Sequence, residues 1–264
     1  MYTSSFGITH APLGKNIPEL WDNGQITQLN QRFQWLLQTP GIGLLTAEPG
    51  LGKTAALRQI TATLNPHQYQ LIYIAETDFG RLDFYRHLAL KFGLTPSFRR
   101  AQIWREIKEY VVHACTQKNT MPVIIVDEAQ NLPHEFFRDL PSFLNFVFDS
   151  KDYMTLWLVG HSELARELNK PCYAALSSRM HVRCELKPVI ERDAFKALIR
   201  HGFTQAGATA QLLSESAIEL IRMASQGNPR RAHQIIVTAM RLAAERQMNH
   251  LPDDIIQDAI NMFK

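Results

Sequence analysis

The chain has 264 residues, which is enough for one large domain or two modest ones. Its 45% hydrophobic and 20% charged residues are typical of an ordinary globular protein, and its net charge is +3. That charge does not by itself indicate nucleic-acid binding, because a local basic face matters more than the total. The first residues form no signal segment, and no apolar run reaches the ~20 residues that cross a bilayer. We therefore expect a cytoplasmic protein with no membrane segment.

The cysteines give no strong metal signal. There are three of them, an odd number, and they are scattered along the chain. Cys172 and Cys184 lie near His181, but their spacing matches no standard zinc pattern. We expect the cysteines to be small buried residues of a reducing compartment.

Residues 1–40 are predicted to form an N-terminal extension and a linker helix. The beginning is irregular, with prolines and glycines close together. The stretch QITQLNQRFQWLLQ, residues 25–38, carries apolar side chains at helical spacing along one face.

Residues 41–190 alternate strand signals with helix signals. Short apolar runs predict strands at 41–47, 70–76, 122–128, 155–161 and 181–187. Helical stretches are predicted near 53–64, 82–93, 101–117, 135–149 and 162–168. Strands that are apolar almost throughout, alternating with helices, indicate a parallel sheet covered by helices on both faces.

Residues 191–264 show no convincing strand and are predicted to form a small helical domain. Ser214 and Ser216 are candidate helix caps. The sequence Gly227–Pro229 is expected to end one helix before the next begins.

The stretch GLLTAEPGLGKTAALRQ, residues 43–59, resembles a phosphate-binding loop between a strand and a helix. Such a loop turns backbone amides toward phosphate oxygens at a helix N-terminus, where the dipole favours anions. Ala47 stands where the pattern usually has glycine, which is tolerable if its φ is negative. Lys53 is expected to reach the β- and γ-phosphates and Thr54 to bind Mg²⁺. The residues expected to surround the nucleotide are Pro49, Gly50, Leu51, Gly52, Lys53, Thr54, Ala55 and Asp127.

A second signal is MPVIIVDEAQNL, residues 121–132, an apolar strand that ends in two carboxylates. Asp127 is expected to hold the Mg²⁺ shell, and Glu128 to act as general base on the attacking water. Charges at the end of a buried strand are costly without a function. The strand at 70–76 fits between the two motifs in the chain, so we expect a sheet with an extra strand between the motif strands.

With both motifs, the sequence resembles an AAA+ ATPase of the ASCE P-loop class. Within that class it is similar to the ExeA-like group and to DNA-transposition helper ATPases of the TniB/TnsC, IstB and Mu B types. The supporting stretches are FGITHAPLGK, LLTAEPGLGKT, VIIVDEAQNL, LWLVGHSEL, LSSRMHVRCEL and GNPRRAHQI. The resemblance implies an α/β domain at 41–190 with a parallel sheet between helices, a helical lid at 191–264, and MgATP hydrolysis.

The resemblance also assigns roles to three further residues. His161 occupies the sensor-1 position, where relatives often carry Thr, Asn or Gln, and would contact the γ-phosphate or the attacking water. Arg179 lies in the arginine-finger region that reaches a neighbouring subunit's nucleotide, with Arg183 as the alternative. Arg230 corresponds to sensor 2 at the start of a lid helix.

A basic region at 85–110 is a candidate DNA-binding face. Its basic residues Arg86, Lys91, Arg99, Arg100 and Arg105 surround a break at Gly93–Pro96. In helper ATPases the comparable region follows the DNA backbone, and such contacts would not distinguish base sequence. A solvated surface with no ligand explains the same residues equally well.

Two functions follow from the resemblance. The first is a transposition helper that forms an ATP-dependent ring or filament on duplex DNA and recruits or activates a transposase. The second is an ExeA-like ATPase that assembles an envelope or secretion complex without binding DNA. ExeA-like proteins usually carry a membrane span and a wall-binding region, neither of which is found up to Lys264. Origin-recognition and loader ATPases normally add a winged helix, which residues after 190 do not provide.

Overall fold

The computed structural model describes residues 2–15, 17–78, 80–208 and 212–263. By their contacts, these residues divide into two compact units. The helical unit comprises the described residues of Met1–Ile26, Pro49–Gln59 and Lys187–Lys264. The sheet unit comprises those of Thr27–Glu48 and Ile60–Leu186.

The described residues of the sheet unit contain one five-stranded sheet in which every pairing is parallel. Its strands are β1 (Ile42–Ala47), β2 (Tyr69–Ile74), β3 (Met121–Val126), β4 (Thr155–Gly160) and β5 (Met180–Leu186). They lie in the order β2-β3-β4-β1-β5. The five predicted strands are confirmed within two residues at each end, because each is a short apolar run.

A strand does lie between the two motif strands, but it is β4 and not the strand near residue 70. β4 pairs with β1 on one side and with β3 on the other, whereas β2 lies at the edge. The expectation drawn from chain order is therefore wrong about which strand is inserted. The physical reason is that parallel strands need crossover connections, which allow neighbours in sequence to be separated in the sheet.

The two faces of the sheet bury different sets of side chains, as the period of two along a strand requires. One face carries Ile124, Leu156 and Leu158 into a large apolar core with helices from residues 81–143. On the other face Trp157 is fully buried and stacks on Phe33, with ring centroids 5.4 Å apart. The predicted covering of both faces is thus observed.

Eleven α-helices lie in the described parts of the chain. They are α1 (Gln25–Gln38), α2 (Lys53–Thr61), α3 (Arg81–Lys91), α4 (Arg100–Gln117), α5 (His134–Phe143), α6 (Ser162–Leu168), α7 (Ala174–Ser177), α8 (Arg192–Gln205), α9 (Glu215–Ser225), α10 (Pro229–Glu245) and α11 (Asp253–Asn261). In the same residues, none of the helices combines the length and apolar character that a membrane crossing requires.

The helical unit has its own apolar core, formed by α8 to α11 together with Phe6 and Ile8 near the N-terminus. Ser214 caps α9 as expected, because its side chain accepts a hydrogen bond from the Ala217 N–H at 2.9 Å. The predicted break at Gly227–Pro229 is also confirmed, since α9 ends at Ser225 and α10 begins at Pro229.

Two further sequence expectations fail. The helix predicted to reach residue 149 ends at Phe143 and cannot extend to 149, because Phe146 is extended and Val147, Phe148 and Asp149 all have positive φ values, from 48° to 63°. Such left-handed residues cannot continue a right-handed helix. Among the cysteines, Cys184 is buried but Cys172 is exposed, so burial does not describe all of them.

The stacking of α1 on the sheet gives a stability prediction. Phe33→Ala should lower the free energy of unfolding by about 3–5 kcal/mol, because it removes a fully buried ring from the contact with Trp157. Trp35→Ala is the matched control on the same helix, since Trp35 is 46% exposed, and it should change stability by no more than about 0.5 kcal/mol. Urea unfolding followed by far-ultraviolet circular dichroism measures both; equal losses would contradict the packing described.

Candidate functional site

The loop that follows β1 has the backbone of a phosphate cradle. Gly50 and Gly52 have φ values of +88° and +90°, which only glycine adopts at little cost. The first turn of α2 begins at Lys53, and the Ala56 N–H donates to the Gly52 carbonyl at 2.8 Å. Ala47 is the last residue of β1 and has no positive φ, so the condition set for an alanine there is met.

The loop is fitted tightly against the start of α10, within the helical unit. The Asn228 side-chain amide donates to the Pro49 carbonyl at 2.8 Å, and its oxygen accepts from the Arg230 and Arg231 N–H groups. A β-carbon on Gly50 would lie only 2.7 Å from the Arg230 Cβ. Asn228 therefore caps α10 and also fixes the loop, and Arg230 is held in the first turn beside it.

Lys53 is buried, with 6% of its surface exposed, whereas Thr54 is exposed in the first turn of α2. An ammonium group at a helix N-terminus, next to amides from a glycine-rich loop, suits a phosphate anion. A threonine hydroxyl and an aspartate are oxygen ligands of the kind that Mg²⁺ prefers. These residues thus fit MgATP chemically, although no cluster of three or more His, Cys, Asp or Glu side chains that could hold a metal occurs among the described residues.

The two predicted carboxylates follow β3 in the sheet unit. Asp127 is 3% exposed and accepts hydrogen bonds from the Tyr73 hydroxyl at 2.8 Å and from the Glu128 N–H at 2.9 Å. Glu128 has a left-handed backbone, with φ 51° and ψ 37°. The hydroxyl of Thr77, which is buried, donates to the Glu128 carbonyl at 3.0 Å. The carboxylate of Asp127 is therefore held from the edge strand β2, and the backbone of Glu128 is held by Thr77, three residues after that strand.

His161 lies beside Glu128, whereas its predicted contact with a phosphate or a water stays a prediction. Its Nε2 is 3.4 Å from Glu128 Oε2. Gln130 lies between them: its side-chain amide donates to Glu128 Oε2 at 2.7 Å and accepts from the His161 N–H at 3.2 Å. Sequence reasoning missed Gln130, which stands inside the quoted DEAQ stretch, and also missed Tyr73 and Thr77, whose roles depend on how β2 pairs with β3.

Arg179 has a partner that the sequence did not indicate. Its guanidinium makes two hydrogen bonds of 2.6 Å to the carboxylate of Asp149. These bonds hold the pKa of Asp149 below its usual range and raise that of Arg179. The alternative, Arg183, donates to the Asn169 side chain at 2.7 Å and to the Ser177 hydroxyl at 2.6 Å.

Arg179 lies at the N-terminal ends of the strands, whereas the two carboxylates lie at the C-terminal ends. It directly precedes β5, whereas Asp127 directly follows β3, and the two strands run parallel in one sheet. In a parallel sheet the start of β5 and the end of β3 lie at opposite ends of the strands. The structure therefore does not bring Arg179 together with Glu128 of the same chain.

The basic region contains two residues that form ion pairs and two that are exposed. Arg86 pairs with Asp83 at 3.4 Å, and Arg100 pairs with Asp139 at 2.8 Å and lies over the Trp104 ring. Lys91 and Arg99 are exposed.

An unpredicted aromatic residue lies in this region. Phe98 is 89% exposed, and the guanidinium carbon of Arg86 is 6.0 Å from the centroid of its ring. Its exposure depends on the fold of the loop before α4, so no periodic pattern in the sequence could have indicated it.

Comparison with known proteins finds one curated relative and several solved structures of the same fold. General secretion pathway protein A of Aeromonas hydrophila is 27% identical over 252 residues, which is 93% of this chain but only 45% of the relative. The Aeropyrum pernix ORC2 protein in its ADP form is 14% identical, with a TM-score of 0.70 over 93% of this chain and 70% of its own. Drosophila ORC bound to DNA is 16% identical, with a TM-score of 0.73 over 100% of this chain and 65% of its own.

A family model described as AAA domain matches residues 36–168, which is half of the chain. The matched region includes β1, the phosphate loop, the β3 carboxylates and the end of β4. The solved structures share the fold of this chain. The chain belongs to the AAA-domain family.

Proposed function

We propose that this protein binds MgATP and hydrolyses it. The observation that carries the proposal is the carboxylate pair at the end of β3, with Asp127 buried and bonded to Tyr73 and Glu128 bonded to Gln130. A buried carboxylate and a partly exposed one side by side suit metal binding and proton transfer respectively. The glycine loop after β1 supplies the phosphate cradle.

In the proposed site some residues bind the phosphates or the metal ion, and Glu128 transfers a proton. The loop amides and Lys53 hold the phosphates, and Thr54 and Asp127 hold the metal ion. Bound Mg²⁺ neutralises charge on the phosphate oxygens. Glu128 orients a water molecule and takes its proton. In this proposal His161, which follows β4, and Arg230, in the first turn of α10, are the residues that contact the terminal phosphate.

Self-association completes the proposed site. Arg179 lies at the N-terminal ends of the strands, and Glu128 of the same chain lies at the C-terminal ends. In this proposal Arg179 therefore stabilises charge at the nucleotide of a neighbouring subunit. In a single chain Asp149 neutralises it. Assembly into an ATP-dependent ring or filament would then exchange Asp149 for the phosphate of the neighbour.

We further propose that the ATP-bound assembly grips duplex DNA through its phosphates and acts as a transposition helper that recruits a transposase. Support comes from the exposed Lys91 and Arg99 and from the exposed Phe98, which precedes Arg99 in the chain and has Arg86 over its ring. Drosophila ORC, which shares the fold, is bound to DNA in its solved structure. A neighbouring gene for an integrase-like transposase would favour this function.

A second candidate function is assembly of a secretion complex. It is favoured by the likeness to general secretion pathway protein A, which extends over 93% of this chain. The chain spans less than half of that relative, so any activity of the relative's remaining part lies outside the comparison. ATP-dependent binding of duplex DNA separates the two functions.

The role of Glu128 can be tested by a change that keeps its shape. Glu128→Gln should lower kcat for ATP by about 10²–10⁴-fold, because the amide cannot accept the proton of water, while ATP affinity stays near that of the wild type. Phosphate release and equilibrium binding of labelled ATP measure the two quantities. Unchanged turnover would show that another group is the base.

Arg179 can be tested for action between subunits. Arg179→Ala should retain ATP binding and lose turnover, since it removes the charge at the neighbour's phosphate. Mixing it with Lys53→Ala should restore part of the activity, because a Lys53→Ala subunit still supplies Arg179 to its neighbour. Rescue with Arg183→Ala in place of Arg179→Ala would transfer the role to Arg183.

The DNA proposal predicts a change in salt dependence. The double variant Lys91→Ala/Arg99→Ala should bind unrelated duplexes more weakly by the same factor and reduce the log–log salt slope by roughly two, because each residue neutralises about one phosphate. Lys118→Ala/Lys151→Ala, two exposed lysines elsewhere on the sheet unit, is the control. Titrations with ATP present measure both. If the wild type shows no ATP-dependent duplex binding, the secretion function replaces the helper function.

A further inference from the structure

Gln130 connects the end of β4 with the carboxylate of Glu128. The backbone N–H of His161 can only donate, so the oxygen of the Gln130 amide must face it, at 3.2 Å. The amide nitrogen is thereby turned toward Glu128 Oε2, an acceptor, at 2.7 Å. The orientation of this amide is fixed by its two partners, and it leaves no alternative flip that satisfies both.

Two backbone features keep Gln130 in this place. Glu128 adopts a left-handed conformation at the start of the short 3-10 helix Ala129–Asn131, which turns Gln130 back toward the carboxylate. At the other end, a β-carbon on Gly160 would lie 2.5 Å from Gln130 Oε1. Only glycine at position 160 leaves room for the amide oxygen to approach the end of β4.

The contact also selects which oxygen of Glu128 works. Within the described part of the chain, Gln130 and His161 both approach Oε2. Oε1 therefore remains as the oxygen that would accept the proton of a water molecule. A carboxylate held by a directed hydrogen bond keeps its remaining oxygen in one position, which is what general-base catalysis needs.

We infer that Gln130 is a positioning residue that holds Glu128 in its catalytic orientation and ties that orientation to the end of β4. The inference rests on the proposed hydrolysis of ATP. Through it, any displacement of His161 or of the β4 end would move the general base. Gln130 itself touches neither nucleotide nor water in this scheme.

Three variants test the inference. Gln130→Ala removes both hydrogen bonds. Gln130→Glu keeps the size and the acceptor for His161 N–H but cannot donate to Glu128. Gly160→Ala displaces the amide oxygen of Gln130, but its β-carbon would also lie 2.8 Å from Cδ2 of the buried Leu164, so this variant is judged by kcat alone. Asn131→Ala, in the same 3-10 helix with an exposed side chain, is the matched control.

Each of the three variants should lower kcat by about 10–100-fold, because a displaced catalytic group costs about that much. In Gln130→Ala and Gln130→Glu, the KM, the ATP affinity and the melting temperature should stay near those of the wild type. Asn131→Ala should behave as the wild type. In the Glu128→Gln background, adding Gln130→Ala should cause no further loss, since the two residues act as one unit.

Several results would overturn the inference. If Glu128→Gln abolishes turnover but Gln130→Ala has the kcat of the wild type, the proposed ATP hydrolysis stands and the positioning role of Gln130 is refuted. Full activity in Gln130→Glu would show that only size matters, and a parallel loss of ATP affinity and melting temperature would show a general structural role. Absence of turnover in the wild type itself would instead refute the proposed function, and the inference with it.

Discussion

The parallel pairing of β4 between β1 and β3 is the constraint on which the site depends. Leu158 of β4 is in register with Val126 of β3 and with Leu44 of β1. The C-terminal ends of parallel strands that are in register lie side by side at the same end of the sheet. Asp127, His161 and the start of the phosphate loop therefore emerge from neighbouring strands, although they are far apart in sequence. Packing fixes that register, because a slip by one residue would exchange side chains such as Trp157 and Leu158, which pack against different neighbours on the two faces.

After these strands, three residues have positive φ values. Gly50 and Gly52 reach positive φ at no steric cost, but Glu128 does so with a full side chain, which costs on the order of 1–3 kcal/mol. Hydrogen bonds from Thr77 to its carbonyl and from Gln130 to its carboxylate offset that cost. The same conformation brings Gln130, two residues further on, within hydrogen-bonding distance of the carboxylate.

Sequence periodicity predicted the strands and most helices because these depend on local apolar patterns. It also predicted the carboxylates and the glycine loop, since each is a short motif whose chemistry is visible in a few letters. The contacts of Asp127 with Tyr73 and of Arg179 with Asp149 could not be predicted in this way. The first depends on which strand occupies the edge of the sheet, and the second on a turn of three consecutive left-handed residues that none of the usual turn signals announces. The assignment of finger, sensor and DNA contacts stays a set of proposals.

The central claim is that the loop after β1 is a nucleotide site. Isothermal titration of the protein with ATP and Mg²⁺ tests it most directly. We expect saturable binding of one nucleotide per chain, weakened by about 10–100-fold in Lys53→Ala because a charge-assisted contact to phosphate is lost, and unchanged in Lys118→Ala. No saturable heat with the wild type, or equal affinity in Lys53→Ala, would contradict the account.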